Sequence, residues 1–362
     1  MAGDARAIAS RISVGWNLGN SLEAGEKGTL ADETAWGNPR TTQAMIDSVA
    51  AAGFGAVRIP VRWYPHFTQT DPVRIDSAWL NRVKEVVDYC LKDDLFVILN
   101  THHELWLENY PFYRDSAEVF RKERELWTQI ARFFGGYDER LLFAGTNEVH
   151  VKDYWGVPTA ENVEVQNRFN QIFVETVRST GGRNRLRTLV VQTYVTNPEH
   201  GVDSFRMPAD PVPGRLMVEV HYYEPQDYCF TGRVKLWGRQ YEDGQTSPRL
   251  REEFMQNVFA RLKSRFVDAG YPVVLGECGA IRWRADRSSE EEEVARSRCY
   301  YYEQLVRTAR KNGIVPFIWD NGAASYGEGQ FGLFDRRNAM KQVEPALIKA
   351  LQRGVAAAAY PF

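Results

Sequence analysis

The sequence has few cysteines, almost no net charge and no long apolar run. Its four cysteines in 362 residues have no CxxC or zinc-site spacing, and they are too few to predict a disulfide framework. A formal net charge of -2 argues against a nucleic-acid-binding surface. No segment approaches the roughly 18 consecutive apolar residues that a membrane-spanning helix needs. We therefore expect a protein that binds neither nucleic acid nor a membrane.

Short β-branched segments alternate with helical patterns along the whole chain, which is typical of βα units around a parallel sheet. Eight such segments are present: 11–20, 56–63, 95–104, 141–150, 187–197, 215–225, 271–279 and 314–322. The alternative is an open, doubly wound sheet, but no GxGxxG or P-loop motif follows any segment. The sequence predicts an α/β fold, a single (β/α)8 TIM barrel that occupies residues 1–362 as one domain.

Helical periodicity supports this prediction between the strands. Apolar residues share one face in 76–93 and in 160–180. Ser289 and Glu292 predict a capping box at the start of another helix. The connection between the fifth and sixth strands is short, so we expect that βα unit to be degenerate.

Polar and aromatic side chains crowd the C-terminal strand ends, where TIM barrels place their active sites. They are Arg58, His102, His103, Asn147, Glu148, His221, Tyr223, Glu277 and Trp319. Each has an ordinary structural explanation when taken alone, such as a helix cap, a loop ion pair or barrel packing. Their joint occurrence at six strand ends predicts a catalytic site.

Two carboxylates in this set can serve as the catalytic pair of a retaining glycoside hydrolase. We expect Glu277 to be the nucleophile, because Arg58 beneath it and the Tyr223 hydroxyl would favour its charged form. Glu148 is then the acid/base, with a pKa raised mainly by the nearby negative charge. Asn147 is expected to hold the sugar 2-hydroxyl. Because neighbours on a regular strand face opposite ways, a bulge or kink is predicted at Asn147 and Glu148.

Tryptophans indicate the type of substrate. Seven of the ten lie at or just after predicted strand ends: Trp36, Trp63, Trp106, Trp155, Trp237, Trp283 and Trp319. Aromatic faces suit the apolar faces of pyranose rings, although some of these side chains will pack loops instead. A row of such platforms predicts a long groove for an oligosaccharide or polysaccharide that is cut internally.

A metal site at His102, His103 and Glu104 is the alternative reading of the third strand end. Adjacent strand residues face opposite ways, whereas a catalytic divalent ion usually needs three convergent ligands. We therefore expect no metal and no cofactor. A metal-dependent hydrolase would lose activity when treated with a chelator.

Seven motifs resemble those of family five of the glycoside hydrolases. In chain order they are GWNLGN, RIPVRW, LNTHHE, NE, HYYEP, GECG and WDNG. Each motif is weak alone, but their order at the strand ends is specific and covers nearly the whole chain. The resemblance implies a (β/α)8 barrel and a retaining mechanism. It also implies Glu148 as acid/base, Glu277 as nucleophile, and a cis peptide bond between Trp319 and Asp320. The shell implied around the cleaved sugar is Arg58, His102, Asn147, His221, Tyr223 and Trp319.

Two further segments, ETAWGNP and FGLFDR, are similar to the subfamily four branch of endoglucanases, xyloglucanases and mixed-linkage glucanases. This similarity implies that Asn20, Trp36 and Asn321 contact sugar on the non-reducing side of the cut. The chain departs from the family at NEV, where many members have NEP, and at Thr146 in place of a bulky residue. Those departures put in doubt whether the family's sugar-binding contacts on the leaving-group side of the cut carry over to this chain. Trp155 is a candidate contact on that side.

The expected function is a retaining endo-β-1,4-glucanase acting on cellulose-type, mixed-linkage or xyloglucan chains. An endo-β-mannanase, an exo-glucosidase and a non-catalytic carbohydrate-binding barrel remain as alternatives. We expect a monomer whose partner is a polysaccharide or oligosaccharide. The start MAGDARAIAS lacks signal-peptide features, so a cytoplasmic location remains an alternative. A polymer cannot cross a membrane, which favours a secreted or periplasmic protein.

Overall fold

The structure is a computed structural model that describes residues 1–68, 71–241 and 247–362. Eight parallel strands form a closed barrel in chain order, and the first strand pairs with the eighth. They are β1 (Gly15–Asn17), β2 (Ala56–Ile59), β3 (Phe96–Asn100), β4 (Leu141–Ala144), β5 (Leu189–Gln192), β6 (Leu216–Tyr222), β7 (Val273–Cys278) and β8 (Ile314–Ile318). The predicted (β/α)8 barrel is confirmed. A short antiparallel pair, β9 (Phe334–Asp335) and β10 (Lys341–Gln342), follows it.

Helices accompany these strands along the chain. They are α1 (Ala5–Arg11), α2 (Gln43–Ala51), α3 (Ser77–Lys92), α4 (Leu105–Glu108), α5 (Tyr113–Phe133), α6 (Ala160–Ser179), α7 (His200–Ser204), α8 (Gln226–Cys229), α9 (Glu252–Leu262), α10 (Glu291–Lys311) and α11 (Pro345–Ala356). Helices α3 and α6 confirm the two predicted from periodicity. The connection from β5 to β6, all of it within the described ranges, contains a 3-10 turn at Tyr194–Thr196 and the five-residue α7 but no full-length helix, so this unit is degenerate as predicted. Within the described ranges, no helix is both long and apolar enough to cross a membrane.

The predicted capping box at Ser289 is absent. Helix α10 begins at Glu291, and its N-cap Glu290 makes no side-chain capping hydrogen bond. Ser289 lies one position earlier, in a 3-10 turn over Ser288–Glu290. Its hydroxyl is therefore outside the position from which a cap reaches the first helical amides.

The strands are shorter than the segments predicted for them. Strand β4 ends at Ala144, three residues before Asn147, and the chain bends at Asn147. The kink predicted at this position is confirmed. Asn147 and Glu148 therefore lie on the loop after β4, and this loop places them at the barrel mouth.

Apolar packing holds this frame together. Every residue of the eight barrel strands is buried. Helix α3 buries Trp79, Val83, Val86 and Val87 against the strands. Each such side chain contributes about 1.5–3 kcal/mol when it is fully buried. Polar side chains interrupt this core on β1, β2, β3, β5, β6 and β7, and they form the site described next.

Candidate active site

Arg58 on β2 is fully buried at the centre of the barrel mouth. Its Nη1 donates to Glu277 Oε1 at 3.0 Å, and its Nη2 donates to Asn147 Oδ1 at 2.9 Å. Burial lowers the pKa of Arg58, but the carboxylates of Glu219 and Glu277 raise it above its ordinary value. Arg58 is therefore a fixed cation that orients one carboxylate and one amide.

Glu277, near the end of β7, receives a hydrogen bond on each carboxylate oxygen. Besides the bond from Arg58, Tyr223 Oη donates to Oε2 at 3.1 Å. Burial raises the pKa of Glu277 above its usual value, and His221 and Arg58 offset this rise only in part. The two donors fix the orientation of the carboxylate and balance its charge, which suits a group that attacks as an anion.

Glu148 is paired with His221 from the end of β6. Its Oε1 lies 2.6 Å from His221 Nδ1. Burial raises the pKa of Glu148, but the hydrogen bond and charge of His221, together with the charges of His103 and Arg58, outweigh burial and lower it below the usual value. The expected upward shift is therefore wrong.

The nearby negative charge acts on the imidazole instead. Burial lowers the pKa of His221, but Glu277, Glu148 and Glu219 together raise it to about 9. Near neutral pH the proton consequently sits on His221, one short hydrogen bond away from Glu148.

The two carboxylates are close together. One oxygen of Glu148, one oxygen of Glu277 and one ring nitrogen of His221 lie within 4.8 Å of one another. Retaining pairs stand about 5–5.5 Å apart, whereas inverting pairs need roughly 6.5–9.5 Å to admit a water molecule. The close approach of these oxygens agrees with a pair in which one carboxylate attacks directly.

The metal alternative at the third strand end does not fit the geometry. Glu104 accepts hydrogen bonds from the backbone amides of Trp63 and Tyr64, and from Trp106 Nε1. Its carboxylate is thus bound to the loop after β2 and does not converge with His102.

Aromatic rings flank the pair. The rings of His102 and Trp319 are parallel, with centroids 6.1 Å apart. His102 Nδ1 lies 3.1 Å from Asn100 Nδ2, so Nδ1 accepts and Nε2 bears the proton. That Nε2 is 3.9 Å from Glu277 Oε1. Burial holds the pKa of His102 well below its usual value, so the ring is neutral. His103 packs against Trp36 with centroids 5.7 Å apart.

The expected cis peptide bond between Trp319 and Asp320 is also wrong. In the described ranges the cis bonds are Asp71–Pro72 and Glu224–Pro225. With this bond trans, the ring of Trp319 still lies parallel to that of His102.

A cleft of about 600 Å3 lies over the pair. Both Glu148 and Glu277 line it, together with Trp155, Trp319 and Phe331. This volume is in the range of ligand-binding clefts, about 300–1,000 Å3.

The predicted tryptophan platforms differ in exposure. Trp36 is 46% exposed and Trp155 is 55% exposed. Trp155 stacks on His150 with centroids 3.8 Å apart, which holds its ring in place. Trp63 and Trp237 are buried and can only pack.

Asn20, Asn321 and Trp36 do not line the 600 Å3 cleft, although Trp36 packs against His103, which does. Asn38 Nδ2 donates to the backbone oxygens of Asn20 and Asn321 at 2.9 Å, which ties the loops after β1 and β8 together. The side chain of Asn321 is bonded within its own loop, donating to the Gly329 oxygen at 2.7 Å and accepting from the Ala323 amide at 3.2 Å. Its amide therefore organises the loop.

Sequence reasoning missed Glu219. This fully buried carboxylate lies on β6, with Oε1 3.0 Å from Arg58 Nε and 3.4 Å from His221 Nε2. A signal was present, because a glutamate stands inside the apolar segment LMVEVHY, two residues before a site histidine and hence on the same strand face. Asn17 was also missed; its Oδ1 accepts from Arg58 Nη1 at 3.1 Å.

Comparison with known proteins agrees with this geometry. The family model described as Cellulase (glycosyl hydrolase family 5) matches residues 22–325. The chain belongs to glycosyl hydrolase family 5. It is accordingly a glycoside hydrolase, and the resemblance seen in its motifs is confirmed.

Relatives of this family 5 enzyme match along almost its whole length. A xyloglucan-specific endo-β-1,4-glucanase of Bacteroides ovatus is 38% identical over 96% of this chain and 70% of its own length. Endoglucanase A of Paenibacillus barcinonensis is 36% identical over 96% of this chain and 89% of its own. The first of these carries its specificity in its name, and the second is named only as an endoglucanase.

Solved structures extend the comparison. A xyloglucan-specific β-1,4-glucanase of the family, from a ruminal metagenomic library and in complex with XXLG, superposes with a TM-score of 0.90 at 37% identity, covering 99% of this chain and 98% of that one. A subfamily 4 broad-specificity endoglucanase from Clostridium acetobutylicum gives 0.86 at 35% identity, covering 96% and 99%.

Proposed function

We propose that the chain is a retaining endo-β-1,4-glucanase acting on cellulose-type, mixed-linkage or xyloglucan chains. The observation that carries the proposal is the close pair of Glu148 and Glu277, one bonded to an imidazole and the other to a guanidinium and a phenol. The endoglucanase and xyloglucanase names of the relatives support the substrate class.

In the first step Glu277 attacks the anomeric carbon while the bond from that carbon to the glycosidic oxygen breaks. Glu148 donates a proton to the departing oxygen. This proton comes from His221, which is 2.6 Å from Glu148. When the sugar displaces water, the neutral carboxyl and imidazole are favoured over the ion pair, because burial disfavours charge.

In the second step a water molecule attacks the glycosyl-enzyme. Glu148 takes a proton from this water as its oxygen bonds to the anomeric carbon, and the bond to Glu277 breaks. The sugar leaves with its configuration retained after two inversions. The proton returned to Glu148 restores the pair with His221.

Asn147 contributes to the transition state. Arg58 donates to its Oδ1, which directs the amide nitrogen to donate to the sugar. A hydrogen bond to the 2-hydroxyl strengthens as the oxocarbenium-like transition state forms. Trp319 supplies the flat surface beside the reacting ring.

Internal cleavage of a polymer is supported by the exposed rings of Trp36 and Trp155. They belong to the loops after β1 and β4, at separate places around the barrel mouth. A groove with platforms at both places holds several consecutive sugars. We propose that it accepts xyloglucan branches, that the enzyme works as a monomer, and that it is secreted or periplasmic, where such polymers occur.

Reducing-sugar release from xyloglucan, unsubstituted β-1,4-glucan and β-mannan tests the proposal, with Glu277→Ala as the inactive control. Release from a glucan with a rapid fall in viscosity is expected, and the variant should abolish it. Release from mannan alone would indicate a mannanase, glucose as the first product an exo-glucosidase, and binding without release a non-catalytic barrel.

A further inference from the structure

Glu219 lies between the two halves of the active site. Its Oε1 is 3.0 Å from Arg58 Nε, and Arg58 donates to Glu277. The same oxygen is 3.4 Å from His221 Nε2, and His221 is bonded to Glu148. One buried carboxylate oxygen therefore contacts a partner of each catalytic carboxylate.

The other oxygen of Glu219 leads to the strand end that carries Glu148. Oε2 accepts from Gln192 Nε2 at 2.7 Å. Gln192 Oε1 in turn accepts from the backbone amide of Thr146 at 2.9 Å and from its hydroxyl at 3.2 Å. Thr146 stands two residues before Glu148, so its hydroxyl, in place of the bulky residue common in the family, joins this chain of hydrogen bonds.

The fold leaves room for this carboxylate. A Cβ built on Gly276 would lie 1.8 Å from Glu219 Oε1, which no side chain can tolerate. Gly276, the first glycine of the GECG motif, thus allows β7 to pass directly over Glu219. The next residue on the strand is Glu277.

We propose that Glu219 is a positioning residue that holds Arg58 and His221 in their working orientations and keeps the proton of the acid/base pair on the imidazole. The expected effect of Glu219 on catalysis rests on the proposed function. The expected effect of Glu219 on the protonation of the His221 imidazole does not depend on that function.

The charged groups around Glu219 favour its ionised form. Burial raises the pKa of Glu219, but Arg58 and His221 lower it below the usual value, with a further contribution from Gln192. Across the barrel His221 also faces Glu277, whose Oε2 lies 3.7 Å from Nδ1. Removing the charge of Glu219 should therefore make it easier for His221 to lose its proton.

The test is Glu219→Gln, which keeps the shape of the side chain and removes its charge. We expect kcat to fall roughly 10- to 100-fold with little change in KM, as misplacement of catalytic groups does. The alkaline limb of the pH–rate profile should move to lower pH. A folded variant with the wild-type kcat and profile would overturn the proposal.

Asp210→Asn is the matched control, because the Asp210 side chain is only 5% exposed and, like Glu219, is paired with an arginine, Arg178, and it does not line the cleft. It should leave kcat and the pH profile unchanged. If it alters them as Glu219→Gln does, loss of any buried carboxylate explains the result and the proposal fails.

Titration of the His221 imidazole by NMR keeps this inference separate from the proposed function. The titration needs no substrate. If the wild-type protein were inactive on every glucan, the proposed function would fail, but the titration would still test the role of Glu219. The pKa of His221 should fall in Glu219→Gln, and an unchanged value overturns the proposal. If that variant does not fold, Gln192→Met decides: an unchanged kcat overturns the proposal, whereas a lower kcat at constant KM supports it.

Discussion

The ring of His221 stands between Glu148 and Glu277, with Nδ1 2.6 Å from an oxygen of the first and 3.7 Å from an oxygen of the second. One imidazole therefore faces both carboxylates of the pair. It carries the proton that either carboxylate alone would have to bind, which explains why the pKa of Glu148 is lowered and that of His221 is raised.

Replacing His221 with asparagine should move the alkaline limb of kcat/KM to lower pH and reduce kcat about 10- to 100-fold. The folded pKa of His221, about 9, exceeds its ordinary value of 6.5. Its stabilising contribution is thus complete below pH 6.5 and is lost as pH rises through about 9. Denaturant unfolding of the wild type and of His221→Asn at pH 6 and pH 10 measures this contribution. The same difference in the free energy of unfolding between the two proteins at both pH values would contradict it.

Tyr223→Phe should raise the acid limb of the pH–rate profile. The phenol donates to Glu277 Oε2 at 3.1 Å and favours the charged carboxylate, so its loss raises the pKa of Glu277 further. We expect kcat to fall roughly 10- to 100-fold, with unfolding little changed. A pH profile identical to that of the wild type would show that the phenol does not support the nucleophile.

Gly276→Ala should inactivate and destabilise the enzyme, because the added Cβ meets the buried carboxylate of Glu219. Overpacking of this kind costs about 1–3 kcal/mol in the free energy of unfolding. Gly136→Ala is the matched control, since no atom lies within 4 Å of a Cβ built there. Equal unfolding midpoints for the two variants would refute the expected clash.

Trp155→Ala should raise KM for a polymeric glucan several-fold and leave stability unchanged. The indole is 55% exposed, so removing it creates no cavity. A stacking contact with a sugar ring is worth about 0.5–1.5 kcal/mol, by analogy with aromatic pairs. KM is compared between the wild type and the variant on cellohexaose and on cellobiose derivatives. An unchanged KM for the long substrate would show that Trp155 does not bind sugar in the groove.

Prolonged dialysis against EDTA should leave activity on β-glucan unchanged. Glu148, His221 and Glu277 lie close enough to hold an ion, but Glu148 and Glu277 already have cationic partners. Loss of activity that zinc or magnesium restores would instead establish the metal-dependent alternative.

Sequence periodicity located every barrel strand but overestimated each length. Strand β4 ends at Ala144, although the predicted segment ran to residue 150. Mostly buried residues continue past Ala144 into the mouth, whereas pairing with neighbouring strands stops where the barrel opens, and pairing is a property of the assembled sheet. Position at a strand end likewise did not separate exposed Trp155 from buried Trp63, because spacing does not specify which way a loop side chain turns.

The sequence by itself determined the repeated βα units and the residue types delivered to one mouth, because hydrophobic period and strand direction are local properties. The tertiary structure decided where the proton of the acid/base resides and that Glu219 lies beneath it. Both depend on distances between side chains from different strands, such as the 2.6 Å between Glu148 and His221. Coulomb and hydrogen-bond energies vary steeply over such distances, and no pattern along the chain encodes them.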